Sequence, residues 1–332
     1  MKRLFSALII LTLVTALGFA GPKVAMIIAQ GGLGDKSYND SAYAGLTKAA
    51  VDFDVTVKAI ESKDVVTEGE KLLRNAARAG FDLVITLEYS HFEVLERVAK
   101  DFPNTTFAIL NIAVPGDNVV SVIFKEHEGS FLVGALAAMV TSNTSIPNVN
   151  PEKIIGVIGG TKSAGIDKFL VGYKEGAHYI DPDVQVLEAY SFSFGDPSKG
   201  YEMAKAMFEQ GADIVYQVAG GTGLGVIQAA KDMGRYAIGV DSDQDSLAPG
   251  NVLCSMMKRV DIAIYDLIKK LVEGTLKGGE TLYYGLKEGG IQVSPMVFTR
   301  HVIPREYIAR MDEIMEKIIC GEIVVTDITM EQ

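Results

Sequence analysis

The chain has 332 residues, 48% of them hydrophobic and 22% charged, with a formal net charge of −11. That length gives room for two ordinary domains, each able to bury a core of its own. The acidic balance opposes non-specific attraction to nucleic acid or anionic lipid, since both are polyanions.

The first residues do not read as part of the fold. Lys2 and Arg3 make a basic start, and Leu4 to Phe19 is apolar apart from Ser6, Thr12 and Thr15. Gly18-Phe19-Ala20 then places small residues where a signal peptidase reads. A membrane-spanning helix would need about 20 apolar residues, and this run is shorter and ends in Gly21-Pro22. Residues 1–20 are therefore expected to be a signal peptide cleaved after Ala20. Without Lys2 and Arg3, 29 basic side chains face 42 acidic ones, a net charge of −13. No cysteine stands at the cleavage point to carry a lipid, so a free periplasmic or extracellular protein is expected.

Short β-branched runs then alternate with helix-length amphipathic segments. The strand Val24–Ala29 leads into Gly31-Gly32-Leu33-Gly34-Asp35-Lys36-Ser37-Tyr38-Asn39-Asp40, which precedes an apolar helical pattern. In an α/β protein such a junction lies at the carboxyl end of a strand, where ligands bind. Its glycines admit close backbone approach, its aromatic can stack, and its polar residues can orient a ligand. Val55–Ile60 reads as a strand, and 66–79 as a helix with Leu72, Leu73, Ala76 and Ala77 on one face. Leu83–Thr86, Phe107–Leu110 and Val119–Phe124 read as strands, with helices over 91–100 and 129–140. This βαβ repetition implies a parallel sheet with helices on both faces.

Thr141 to Lys153, with Ser, Asn, Thr and two prolines, reads as an exposed loop. The alternation then restarts, with strands at 154–158, 184–189, 214–218 and 236–240 and helices near 166–178, 199–210 and 224–233. The tail reads as one long helix over 256–273, a glycine-punctuated connection and a last helix over 304–319. These pieces are too few for a third domain and read as additions to the two sheets. Two lobes are expected, residues 21–125 with about 256–290, and residues 126–255 with about 291–332, joined by a multi-strand hinge over a ligand cleft.

No candidate for catalysis emerges. Gly156-Val157-Ile158-Gly159-Gly160-Thr161-Lys162-Ser163 lacks the glycine that a phosphate loop needs before Lys-Ser, and reads as an ordinary strand–helix turn. Gly221-Thr222-Gly223-Leu224-Gly225 lacks the third glycine of a dinucleotide fingerprint, leaving Gly220 and Gly221 as points of close backbone approach to a ligand. Asp241-Ser242-Asp243-Gln244-Asp245 has Ser246 and Val252 where a calcium loop needs Gly and Glu. It reads as a solvated acidic turn in which Asp241, following an apolar strand, can accept hydrogen bonds from sugar hydroxyls. His91, His127, His178 and His301 show no metal spacing and read as surface or helix-end residues. Cys254 and Cys320, far apart and in apolar contexts, read as buried free thiols. Lys258, if it points into the cleft, can donate to a ribose oxygen and pair with Asp241. Phe192 and Phe194 share a face by alternation, so at least one is expected in the core. Phe194, at a strand exit beside Gly195-Asp196-Pro197, is placed as Tyr38 is in the first half, and the two can clamp a planar ring. No metal or cofactor is implied.

Several motifs together resemble one family. Asp35-Lys36-Ser37-Tyr38-Asn39, Phe124-Lys125-Glu126-His127-Glu128-Gly129-Ser130-Phe131-Leu132-Val133-Gly134, Ser193-Phe194-Gly195-Asp196-Pro197, Gly239-Val240-Asp241-Ser242-Asp243-Gln244 and Ser255-Met256-Met257-Lys258-Arg259-Val260-Asp261 occur in order. In these the chain resembles the basic membrane protein family of type 1 periplasmic binding proteins, which includes purine nucleoside receptors of ABC importers. The resemblance implies two doubly wound, Rossmann-like α/β lobes and no catalysis. It implies that Tyr38 and Phe194 sandwich a base, that Asn39 contacts the ligand, and that Asp241, with Lys258 and the Gly221 backbone, binds ribose. Asp35, Ser90 and Gly220 complete the expected set. The family's nucleoside receptors usually carry aspartates at the ends of the first and fourth strands, where this chain has Gln30 and Asn111. A carboxylate only accepts hydrogen bonds, whereas a carboxamide also donates, so these two are expected to alter the base edge selected. The implied partners are a small ligand and an importer's membrane subunits, with the protein itself a monomer. Alternatives are a riboflavin or other heterocycle receptor of the same family, a sensory ectodomain, and a secreted nucleoside hydrolase or phosphorylase.

Overall fold

A computed structural model describes residues 21–329; the expected signal peptide, residues 1–20, lies outside the described residues. Strands β1 (Lys23–Ile27), β2 (Thr56–Ile60), β3 (Leu83–Thr86), β4 (Thr106–Leu110) and β5 (Val119–Phe124) alternate with helices α1 (Tyr38–Asp52), α2 (Gly69–Arg78) and α3 (Phe92–Asp101). After α4 (Glu126–Thr141) come β6 (Ile154–Gly159), α5 (Ala164–Ile180), β7 (Gln185–Tyr190), α6 (Pro197–Glu209), β8 (Ala212–Val218), α7 (Gly223–Asp232), β9 (Tyr236–Val240) and β10 (Val252–Lys258). The chain ends with α8 (Val260–Val272), β11 (Thr281–Tyr284), β12 (Ile291–Val293) and α9 (Arg305–Ile319).

These strands build two six-stranded sheets, ordered β11-β5-β4-β3-β1-β2 and β12-β10-β9-β8-β6-β7. Every pairing is parallel except that of β10 with β12. The central strands are buried on both faces, as βαβ crossovers require, and so read in sequence as continuous apolar runs. The chain passes between the sheets at Lys125, at Arg259 and between Tyr284 and Ile291. The parallel α/β architecture with helices is as expected.

Helix α4 is apolar nearly all round because it is enclosed, packing on α5, α9 and strands of the second sheet. Its approach to α5 is unusually close: a Cβ at Gly172 or Gly176 would overlap the backbone carbonyls of His127 or Phe131.

Several local expectations are corrected. Residues 256–258 are not helical but end β10, paired with β9 and β12, and α8 begins at Val260. A short run buried on both faces carries no periodicity to separate strand from helix. Thr141 is buried at the end of α4, where its Oγ1 donates to Asp213 Oδ2 (2.7 Å), so the loop begins after it. Cys254 is buried but Cys320, just past α9, is exposed. His91 and His127 lie at helix starts but are interior, not at the surface. Phe192 is 70% exposed, and Phe194 lies outside the buried core too. A positive φ of 52° at Phe192 breaks the alternation that put the two on one inward face.

Candidate functional site

The carboxyl ends of the two sheets face each other across a cavity of about 380 Å³. Gln30, Asp35, Tyr38, Asn39 and Asn111 line it from the first sheet's side, and Phe194, Gly220, Asp241 and Lys258 from the second's. Of the residues singled out in the sequence, Ser90 and Gly221 stand behind the lining. Gly221 packs instead against the Phe194 carbonyl and the backbone of Asp35.

The glycine-rich loop after β1 is held by its own side chains. The Asp35 carboxylate accepts the backbone N–H groups of Ser37 (2.9 Å), Asn39 (2.9 Å) and Asp40 (3.1 Å), satisfying free donors at the start of α1. Burial pushes its carboxyl up, against the pull of those N–H groups. Asn39 Oδ1 accepts from the Ala29 N–H (3.0 Å) and its Nδ2 donates to the Gln30 carbonyl (3.2 Å). These two residues thus shape the loop. The Tyr38 hydroxyl donates to the Leu87 carbonyl (3.0 Å) and accepts from Asn111 Nδ2 (2.9 Å), which fixes the ring as a cavity wall.

Phe194 follows β7, and its ring packs against the glycine turn after β6. A Cβ at Gly160 would overlap the edge of the Phe194 ring, so the missing side chain there serves the aromatic rather than a phosphate. Gly160→Ala is expected to push the ring aside and weaken ligand affinity by about tenfold, the worth of one stacked pair. Calorimetry checks this, with far-UV circular dichroism unchanged.

The two sheets are latched at one end of the cavity. Ser37 Oγ donates to Asp241 Oδ2 (2.5 Å), Ser242 Oγ to the Ser37 carbonyl (3.3 Å), and Gln244 Nε2 to the Lys36 carbonyl (2.9 Å). Asp241 is 7% exposed, with φ of 65°. Burial, reinforced by Asp35 and Glu126, pushes its carboxyl up to about 6 against the pull of Lys258 and Ser37. The acidic turn is solvated at Asp243 but not at Asp241, Gln244 or Asp245. Asp245 accepts from Ser255 Oγ (2.8 Å) and from Ser294 Oγ (2.9 Å), and Gln244 is buried with it.

At the hinge end, Lys258 Nζ pairs with Glu126 Oε1 (2.6 Å) and donates to Asn111 Oδ1 (2.6 Å), rather than pairing with Asp241. Lys168 reaches the other Glu126 oxygen (2.5 Å) and the Phe124 carbonyl (2.8 Å). Burial alone would raise the Glu126 carboxyl, but the two ammoniums outweigh it and hold it below the ordinary carboxylate range. The Lys258 ammonium also lies 5.0 Å from the Tyr38 ring centroid and 4.9 Å from that of Phe124.

Glu88, Glu126, Lys168 and Phe169 were not singled out in the sequence. A signal existed for Lys168: it falls on the stripe of Gly172 and Gly176 at four-residue spacing, the buried face of α5. Glu88 is 1% exposed and lines the cavity beyond β3. It accepts from the Gln30 N–H (3.2 Å) and from the N–H (3.3 Å) and hydroxyl (2.8 Å) of Ser90.

Two α/β lobes meeting over a ligand-sized cavity, crossed by several chain segments and lined from both sides, form a solute-binding protein. The Bmp family, described as "ABC transporter substrate-binding protein PnrA-like", matches residues 22–329, and the chain belongs to that family. It is 34% identical over 319 residues to basic membrane protein A of Borreliella burgdorferi, covering 93% of this chain and 89% of that one. It is 32% identical over 325 residues to the CD4+ T-cell-stimulating antigen of Listeria monocytogenes, covering 92% and 88%. A solved ABC transporter solute-binding protein from Aeropyrum pernix K1 superposes with a TM-score of 0.85 at 30% identity, covering 92% and 93%. A lac repressor dimer, at 14% identity and a TM-score of 0.60 over 85% of this chain and 82% of that one, shares the fold alone.

The chain is thus an extracytoplasmic substrate-binding protein of an ABC transporter. Such a protein binds a small molecule and the transporter's membrane subunits and is not an enzyme, which overturns the hydrolase and phosphorylase alternative. Among the described residues no helix is long and apolar enough to cross a membrane.

Proposed function

We propose that the cavity holds a nucleoside, a purine nucleoside foremost, with the base between Tyr38 and Phe194 and the ribose hydroxyls on Asp241. The observation that carries this reading is the lining itself. Tyr38 and Phe194, from opposite sheets, and the buried carboxylate of Asp241 border the same cavity. Its 380 Å³ lies near the small end of the roughly 300–1,000 Å³ range of ligand pockets, which favours a nucleoside over a bulkier flavin. Asn39 and Asp35 line the site and hold its loop in place, Lys258 offers a donor to the sugar, and Gly220 brings backbone to the ligand. The moving bodies are residues 21–125 with about 259–290, and residues 126–258 with about 291–329. Closure of the two, by one monomer, reports occupancy to the importer.

The test is mass spectrometry of whatever co-purifies, followed by thermal-shift titration with nucleosides, free bases, riboflavin and sugars. A nucleoside at 100 times its Kd is expected to stabilise the fold by about 2.7 kcal/mol. Stabilisation by sugars alone, or by riboflavin alone, overturns the assignment.

A further inference from the structure

Neither carboxamide expected to read the ligand's edge is placed to do so alone. Gln30 is exposed, and it is its backbone N–H that is engaged, by Glu88. Asn111 has both ends of its carboxamide occupied, by the Tyr38 hydroxyl and by Lys258. Between them stands Glu88. Strand β3, which it follows, lies in the sheet between β1, which leads to Gln30, and β4, which leads to Asn111.

Four carboxylates line the cavity, and two are claimed by the protein itself: Asp35 holds three backbone N–H groups and Glu126 lies between two lysines. Asp241 takes the Ser37 hydroxyl on Oδ2 at 2.5 Å and keeps Oδ1 for the ribose. Glu88 is as buried as Glu126, each 1% exposed, yet among the described residues it pairs with no cation. Both Ser90 bonds fall on Oε1, where they cap the turn Tyr89–His91. Oε2 receives only the Gln30 N–H, at 3.2 Å. Bonds to an ionised acceptor usually close to about 2.7–2.9 Å. A buried carboxyl without full hydrogen bonding is costly, and Glu88, whose Oε2 holds that single long bond, lines the cavity. A carboxylate only accepts, so the complementary ligand group is a donor.

We infer that Glu88 is the residue that selects the base, its Oε2 accepting N–H groups from the edge of a flat heterocycle. This rests on the nucleoside reading and narrows it. The preferred ligand is a purine that presents a ring N–H beside an amino group, as guanosine does. Inosine, with the ring N–H alone, ranks second. Adenosine, whose ring nitrogen would present a lone pair to the carboxylate, ranks last.

Calorimetric affinities of the full chain for guanosine, inosine and adenosine, beside Glu88→Gln and Glu88→Asp, test this. Glu88→Gln retains an acceptor for Ser90 but turns a donor toward the ligand's donors. Guanosine affinity is expected to fall by about 10–100-fold, the range of one or two hydrogen bonds to a charged group, with adenosine unchanged or tighter. Glu88→Asp, which keeps the charge but draws it back, is expected to weaken guanosine and inosine while leaving adenosine unchanged or tighter, so that the guanosine-to-adenosine ratio falls, and it carries the test if the glutamine variant does not fold. A wild-type preference for adenosine, or an unchanged guanosine-to-adenosine ratio in Glu88→Gln, overturns the role of Glu88 alone. Failure of the wild type to bind any nucleoside overturns the nucleoside reading and this inference with it.

Discussion

Asp241→Asn is expected to make the ligand-free protein more stable at pH 7.5 while removing most of its nucleoside affinity. The Asp241 carboxyl titrates near 6 in the fold, against an ordinary value of 3.8. Between those values the folded chain holds a proton that the unfolded chain has released, so stability falls as pH rises through that window. Two pKa units correspond to about 3 kcal/mol, present as a penalty at neutral pH and absent below pH 4. Asparagine removes the charge, can still accept from Ser37, and tolerates the left-handed backbone found here. The midpoint of thermal unfolding should rise by several degrees at pH 7.5 and stay unchanged at pH 4. Binding should weaken on the order of 100-fold, since hydrogen bonds from paired hydroxyls to a carboxylate are lost. An unchanged midpoint at pH 7.5 would show that the buried charge carries no penalty, and unchanged affinity would remove Asp241 from the sugar site.

Glu126→Ala is expected to be among the most damaging single changes in the chain. It leaves two ammoniums, Lys168 and Lys258, side by side in the interior with no carboxylate between them. Breaking a buried ion pair from one side typically destabilises by about 3–5 kcal/mol, because the abandoned charge has lost its solvent and its partner. The double variant Glu126→Ala, Lys168→Met restores the single net positive charge of the wild-type cluster. It should recover a large part of the loss, appearing as strong positive coupling in a double-mutant cycle by urea unfolding. Additive losses would mean that the three groups do not act as a unit.

The architecture was legible because its signals are local. Strand runs such as 83–86 and 119–124, and the aromatics Tyr38 and Phe194 between a strand and the helix after it, lie within a few residues of what they imply. What was not legible depends on partners distant in sequence. Nothing next to Glu88 in the sequence marks it, because Gln30 comes beside it only when β1 and β3 pair. Lys258 read as a partner of Asp241 because both were expected to face the cleft, but Glu126, at the first hinge crossing, reaches its ammonium instead. Asp35 and Asn39 read as ligand contacts, yet helix capping and loop closure claim their polar atoms. A polar residue at a strand end serves either purpose, and only the set of competing donors around it decides which.

The return of the chain to its first sheet has a consequence for how the molecule is made. The edge strand β11 that closes β5 comes from residues 281–284, and the helix that covers α1 comes from 260–272. As a chain emerges amino end first, β5 presents a bare, hydrogen-bond-hungry margin until the far end arrives. At ordinary rates of synthesis that wait is on the order of ten seconds or more, ample time for strand exchange with a neighbour. The nascent protein therefore needs shielding at that margin, and the last fifth of the chain acts as the fastener that ends its vulnerability.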